Sequence, residues 1–121
     1  MSYIAHNLEH RSTRSAVGTG QCVALVQAWA GAPSTATWHQ GVKVKGNGHI
    51  ITKGTIIATF VDGHYPNHSH GNHAAIFLSE DSSGIRVLDQ WLGHAPSERV
   101  IHFHGGNGSA SNDGDMFSVV E

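Results

Sequence analysis

The hydrophobic periodicity of the chain changes once, and this change limits the fold to a mixed α+β arrangement. Residues 20–30 carry their apolar side chains at helical spacing, on one stripe formed by Cys22, Leu25, Val26 and Trp29. Beyond residue 53 the period becomes two and β-branched residues accumulate, which predicts strands at 54–61, 73–79, 84–91, 99–104 and 116–120. We therefore expect one domain over residues 1–121, with an N-terminal helix packed on a roughly five-stranded antiparallel sheet.

The charge and the apolar content of the chain exclude two classes of partner. The net charge is −2 with neutral histidines, so there is no electrostatic basis for binding nucleic acid or an anionic membrane surface. No apolar run reaches the ~18 residues that a membrane span requires. The N-terminal segment lacks the apolar region and the cleavage site of a secretory signal peptide. We therefore expect synthesis in the cytoplasm and, for any action elsewhere, a route that does not use that signal.

The chain contains one cysteine, Cys22, which excludes an internal disulfide and any multi-cysteine zinc site. A lone cysteine on an apolar stripe is either a small buried hydrophobe or a reactive thiol. If the thiol is reactive, the start of a helix suits it, because the helix N-terminus stabilises an anion and offers unpaired N–H groups to an oxyanion. Gln21 is a candidate for an additional side-chain donor.

His73 and Asp89 are the residues that such a thiol would need. Within the predicted hairpin of 73–79 and 84–91, a register that pairs Phe77 with Ile85 places His73 directly opposite Asp89. The carboxylate would then orient the imidazole and fix its tautomer. We expect the Cys22 stripe of the helix to cover this face of the hairpin. The alternative for each residue alone is a structural role.

A family resemblance rests on five stretches of the sequence: GTGQCVALVQ, TWHQGVKVKGN, GTIIATF, GNHAAIFL and GIRVLDQW. Together they resemble the papain-like amidases of the CHAP and NlpC kind, and more closely the second family of type VI secretion amidase effectors. The resemblance covers roughly residues 16–103. It implies a papain-like fold in which Cys22 and His73 form the catalytic pair and Asp89 is the third member.

The resemblance also implies a function. Such proteins are delivered by a secretion apparatus into the periplasm of a rival bacterium, where they hydrolyse peptidoglycan peptides without a cofactor, and the producer is protected by an immunity protein. The bond implied joins D-alanine to meso-diaminopimelate. We expect a substrate groove bordered by Trp38, His64 and Tyr65, and by Trp91 if that residue is not part of the core.

Two other classes of function remain open at this point. His64, His68, His70 and His73 follow the spacing H-x3-H-x-H-x2-H, and His102 and His104 form another H-x-H; such sets can hold a catalytic zinc ion. A non-catalytic wall-binding module would use the same groove without turnover. Residues 105–114, rich in glycine and serine, are expected to form a mobile surface loop.

Overall fold

The computed structural model describes residues 2–66, 68 and 71–121. Within these residues the regular structure is one α-helix, α1 (Cys22–Ala30), several short 3-10 turns and six strands. The strands are β1 (Gln40–Lys43), β2 (Ile56–Thr59), β3 (Ala74–Glu80), β4 (Gly84–Trp91), β5 (His94–His102) and β6 (Phe117–Val120). No helix among these residues has both the length and the apolar character needed to cross a membrane.

The strands form one antiparallel sheet in the order β1-β6-β2-β3-β4-β5. The predicted α+β class is confirmed, but the predicted number of five strands is wrong, because β1 lies before residue 54, where no strand was predicted. β1 is an edge strand that pairs only with β6, and its residues are mostly exposed. It therefore lacks the apolar alternation by which the other strands can be recognised.

Alternate residues of the strands enter two cores on opposite faces of the sheet. Ala74, Ile76 and Leu88 pack with Leu25 and Val26 of α1 in the first core. The second core is formed on the other face by Ala75, Phe77, Ile85 and Val87 with residues of β5 and β6. The helix thus covers the face opposite to the one predicted.

The register of β3 and β4 also differs from the predicted one. Phe77 lies opposite Val87, and a bulge follows before Ser79 pairs with Arg86. Continuation of this ladder places Trp91, rather than Asp89, opposite His73. His73 and Asp89 are therefore diagonal neighbours, which side chains of their length can still bridge. The position of the turn accounts for the difference, since Glu80 pairs with Ile85 and the hairpin therefore turns later in the chain than predicted; the one-residue bulge offsets only part of that shift.

Both ends of α1 follow from the sequence. Gln21 precedes the helix in an extended conformation and is its N-cap. Gly31 ends the helix with φ 68°, a left-handed conformation that glycine adopts without a steric penalty, and its N–H donates to Gln27 O. The helix therefore begins at Cys22, two residues after the start of the predicted segment 20–30, and presents that residue at the end where its N–H groups are unpaired.

Candidate active site

His73 and Asp89 are in direct contact at the edge of the sheet. His73 Nε2 lies 2.6 Å from Asp89 Oδ2, and both side chains are buried. The backbone of His73 is held by Thr59 at the end of β2: its N–H donates to Thr59 Oγ1 and its carbonyl accepts from Thr59 N–H. Because Nε2 is occupied by the carboxylate, Nδ1 is the ring nitrogen left to exchange a proton with a nucleophile.

Arg99 of β5 completes the environment of Asp89. Its Nε donates to both carboxylate oxygens, at 2.9 Å and 3.2 Å, and its Nη2 lies 2.9 Å from Oδ2. A buried carboxylate requires such compensation. Burial raises the pKa of Asp89, but the hydrogen bonds from His73 and Arg99 outweigh burial and hold the pKa below its ordinary value. The sequence analysis did not assign Arg99, although it placed this arginine on the next strand.

The Cys22 thiol lies close enough to His73 for each group to shift the pKa of the other. Burial raises the pKa of the thiol, but the hydrogen bond and the charge of His73 outweigh that effect and lower the pKa below 9.0, with further help from Ala74 N–H and Tyr65. Burial also lowers the pKa of His73, while hydrogen bonds with Asp89 and Cys22 outweigh it and raise the pKa to about 9. Both directions favour a thiolate–imidazolium pair near neutral pH.

Gln90 fixes the chain just before Cys22. Its fully buried side-chain amide donates to the carbonyls of Val17 and Gln21, at 2.9 Å and 2.8 Å, and accepts from Val17 N–H at 2.9 Å. Asp89 and Gln90 are consecutive residues of β4, so one strand contacts both His73 and the segment before Cys22. Sequence analysis missed Gln90, whose only signal was a polar residue inside an apolar strand.

Tyr65 lies beside the thiol. Its hydroxyl is 3.8 Å from Cys22 Sγ and accepts a hydrogen bond of 3.1 Å from Asn72 Nδ2. That bond occupies a lone pair and leaves the hydroxyl hydrogen available for the sulfur. Tyr65 can therefore stabilise negative charge at the thiolate. This contact differs from the predicted role of Tyr65 as a groove wall, since only 7% of the residue is exposed.

The other residues that were predicted to contact substrate differ in their exposure. Trp38 is 2% exposed and packs on Tyr65 with ring centroids 5.0 Å apart, so in this structure it lies in the core and not on an open wall of the cleft. His64 is exposed and forms a backbone bridge with Val61. Gln21 is exposed, and its side chain makes no hydrogen bond within the described residues. Trp91 is 39% exposed, contrary to the stronger expectation of core packing.

A cleft of about 490 Å³ opens beside this cluster and is lined by its members His73 and Arg99. Its described lining comes from the residues just before β3, from β4 and β5, and from a 3-10 turn: Gly71, Asn72, His73, Trp91, Arg99, Ser111 and Asn112. The Trp91 ring stacks on His94, with centroids 4.1 Å apart, and lies 5.1 Å from the Arg99 guanidinium. The cleft is thus walled by an aromatic ring and an arginine next to the imidazole.

The loop that contributes Ser111 and Asn112 is organised by a buried carboxylate. Asp113 is fully buried and accepts backbone N–H groups from His104, Gly106 and Asp115. Asp115 in turn accepts from Gly105 N–H and from Lys45 Nζ. The segment predicted to be a mobile excursion therefore has internal structure, which fixes one wall of the cleft.

The histidine spacing does not assemble a metal site in the part of the chain that is described. Among those residues no group of three or more histidine, cysteine, aspartate or glutamate side chains is placed to hold a metal ion. His73 uses Nε2 for Asp89, and His64 and His68 are exposed. His70, the remaining member of the predicted set, lies outside the described residues.

Known proteins resemble this chain in sequence and in fold. A model of the family described as domesticated amidase effector 2 matches residues 2–120. The chain is 43% identical to the type VI secretion amidase effector 2 protein of Salmonella typhi, over 94% of this chain and 88% of that protein. It is 39% identical to the domesticated amidase effector 2 of Ixodes scapularis, over 84% of this chain and 70% of that protein.

A solved structure agrees with these sequence relationships. The structure of a type 6 secretion amidase effector 2 (Tae2) superposes with a TM-score of 0.85 at 39% identity, and covers 98% of this chain and 94% of that chain. The family match over residues 2–120, together with the relative that is 43% identical, shows that the chain belongs to the domesticated amidase effector 2 family, as the sequence predicted.

Proposed function

We propose that this chain is a cysteine amidase that hydrolyses peptide crosslinks of peptidoglycan, at the bond between D-alanine and meso-diaminopimelate. Amidase activity and the effector class follow from its family and agree with the predictions from sequence. The proposal is supported chiefly by one observation, the 2.6 Å contact between the His73 imidazole and the Asp89 carboxylate beside a thiol, Cys22, whose pKa His73 lowers. Residues 1–121 would form a single domain of the papain-like kind.

The proposed mechanism is acyl transfer. The Cys22 thiolate attacks the carbonyl carbon of the scissile amide, and the resulting oxyanion is bound by the Cys22 backbone N–H at the start of α1. The His73 imidazolium donates its proton to the leaving amine, which departs and leaves a thioester. His73, now neutral, then removes a proton from water as that water attacks the thioester, and Cys22 is released. Asp89 stabilises the imidazolium throughout and is not itself protonated.

The relatives' names support a biological setting for this chemistry. The Salmonella relative and the solved structure are both named as type VI secretion amidase effectors. We propose that this chain is delivered in the same way, that it acts on the wall in the periplasm of a target cell, and that its producer makes a cognate immunity protein. Delivery would require a binding partner in the secretion apparatus.

Digestion of purified, crosslinked muropeptides with mass analysis of the products tests the enzyme proposal. Wild type should convert the crosslinked dimer to two monomers, the product with the new carboxyl group ending in D-alanine. Cys22→Ala should abolish this conversion. As a control, the Cys22→Ala variant should still melt cooperatively, which shows that it is folded. Undiminished hydrolysis by Cys22→Ala would contradict the nucleophile assignment, and binding without turnover by wild type would favour a wall-binding module.

A further inference from the structure

Arg99 has a second chemical capacity that the Asp89 contact does not use. Its Nε and Nη2 face Asp89, which leaves Nη1 without a partner among the described residues. The side chain remains 27% exposed and lines the cleft together with His73. A guanidinium with one edge on a buried carboxylate and the other edge toward a cleft can bind a second, external carboxylate.

The surroundings of Arg99 favour an anion over a neutral group. Every other described residue of the cleft lining is neutral apart from the titratable His73, and no acidic residue lines the cleft. Asp89 is fully buried beneath it. Glu98, the adjacent acid on β5, lines a different groove with Leu8 and Leu88. No described carboxylate therefore competes for the exposed side of Arg99.

The position of Arg99 relative to the reacting groups limits where such a carboxylate would be. The contacts of 2.6 Å from His73 Nε2 and 2.9 Å from Arg99 Nη2 meet at the same oxygen, Asp89 Oδ2. The imidazole and the guanidinium are thus separated by one carboxylate group. An extended peptide advances about 3.3–3.6 Å per residue, so an anion bound at Arg99 belongs to a residue that flanks the scissile amide.

We propose that Arg99 binds the free carboxylate on the residue that supplies the leaving amine, and so selects crosslinks in which that carboxylate is unmodified. This inference rests on the proposed function and names a specificity residue for it. In a D-alanyl–diaminopimelate crosslink, the carbon that bears the leaving nitrogen also bears a free carboxylate. The carboxylate would be held beside His73, and the leaving nitrogen would be directed toward the proton that it must receive.

Two substrates and two enzymes separate this role from the structural role of Arg99. The substrates are crosslinked muropeptide dimers in which the carboxylate next to the scissile amide is either free or converted to the carboxamide. The enzymes are wild type and Arg99→Gln. Wild type should prefer the free carboxylate by about 10-fold or more in kcat/KM, as expected for loss of a charge-assisted hydrogen bond. Arg99→Gln should be slower on both substrates, with a preference close to one.

The outcomes are distinct. Equal hydrolysis of both substrates by wild type overturns the Arg99 proposal and leaves the amidase proposal intact. The same preference in wild type and Arg99→Gln overturns it as well, since another group would then recognise the carboxylate. Failure of wild type to cut either substrate contradicts the amidase proposal instead.

A binding measurement covers the case in which Arg99→Gln is too slow to assay. Cys22→Ala and Cys22→Ala/Arg99→Lys are titrated with the two dimers by calorimetry, and circular dichroism confirms that both variants are folded. Cys22→Ala should bind the free carboxylate about 10-fold more tightly than the carboxamide. The lysine variant, which keeps the charge and loses the fork, should retain a smaller preference. An absent preference in Cys22→Ala would refute carboxylate binding.

Discussion

Replacing Asp89 by asparagine should move the alkaline limit of activity to lower pH. The pKa of His73 is raised from 6.5 to about 9, which corresponds to about 3 kcal/mol of preference for the imidazolium at about 1.4 kcal/mol per pH unit. The hydrogen bond to Asp89 is the largest of the contributions that raise this pKa. Asparagine preserves the shape of the side chain and removes its charge, so burial should then dominate.

The sign follows from which protonation state is active. The thiolate–imidazolium pair exists above the pKa of the thiol and below the pKa of His73, so a lower pKa of His73 shortens the active range from its alkaline side. A paired opposite charge typically changes a pKa by about 1 to 3. The alkaline midpoint should therefore fall from about 9 in wild type to about 8 or below. We also expect turnover to decrease by about 10²- to 10⁴-fold.

The assay is the pH dependence of kcat/KM for crosslinked muropeptide, which reports the free enzyme. The limits belong to the coupled thiol and imidazole rather than to either group alone. Asp113→Asn is the matched control, because Asp113 is equally buried but accepts backbone N–H groups and is not among the groups that shift the pKa of Cys22 or His73. It should lower stability without moving the alkaline limit. An Asp89→Asn enzyme with an unchanged limit near pH 9 and full turnover would refute the reasoning.

Three further changes test other parts of the site. Gln90→Leu removes three hydrogen bonds, so it should lower the melting temperature by about 10 °C and slow alkylation of Cys22 by iodoacetamide. Gln27→Leu, at an exposed helix position, is the control. Equal effects of the two substitutions would contradict the positioning role of Gln90. Tyr65→Phe should raise the pH midpoint of that alkylation and decrease turnover by about 10-fold, whereas an unchanged midpoint would exclude a contact with the thiolate. Trp38→Ala should destabilise the fold by about 3–5 kcal/mol in urea unfolding, and a change in KM alone would restore the substrate-contact interpretation.

The sequence predicted which elements carry the candidate site residues better than it predicted how those elements pack. Cys22 was predicted from a helical stripe, and His73 and Asp89 from strand alternation, all of which are local patterns. Their contact was predicted through a register that is wrong, because the residue types do not fix where the hairpin turns, and Glu80 pairs with Ile85. The diagonal contact survives since histidine and aspartate can reach across that distance.

The missed features depend on contacts between segments far apart in the chain. Gln90 bonds to residues some seventy positions earlier, and nothing in its neighbours indicates that partner. Arg99 follows from the requirement that a buried Asp89 be compensated, but several basic residues satisfied that requirement on sequence alone. Trp38 was assigned to substrate because its neighbours are polar, whereas its ring packs on Tyr65 and its Nε1 donates to Pro33 O.

Strand β4 fixes the distance between two contacts, that of Asp89 with His73 and that of Gln90 with the segment before Cys22. The two side chains project to opposite sides of the sheet. Their separation is fixed by a single peptide unit, so it cannot adjust independently on the two sides. A chain with one residue inserted between them would place both side chains on the same side. Such a protein could still form its sheet, but it would lose either the contact with His73 or the hydrogen bonds that hold the segment before Cys22. Length changes at this point should therefore be far less tolerated than in the turn at Asp81–Ser83.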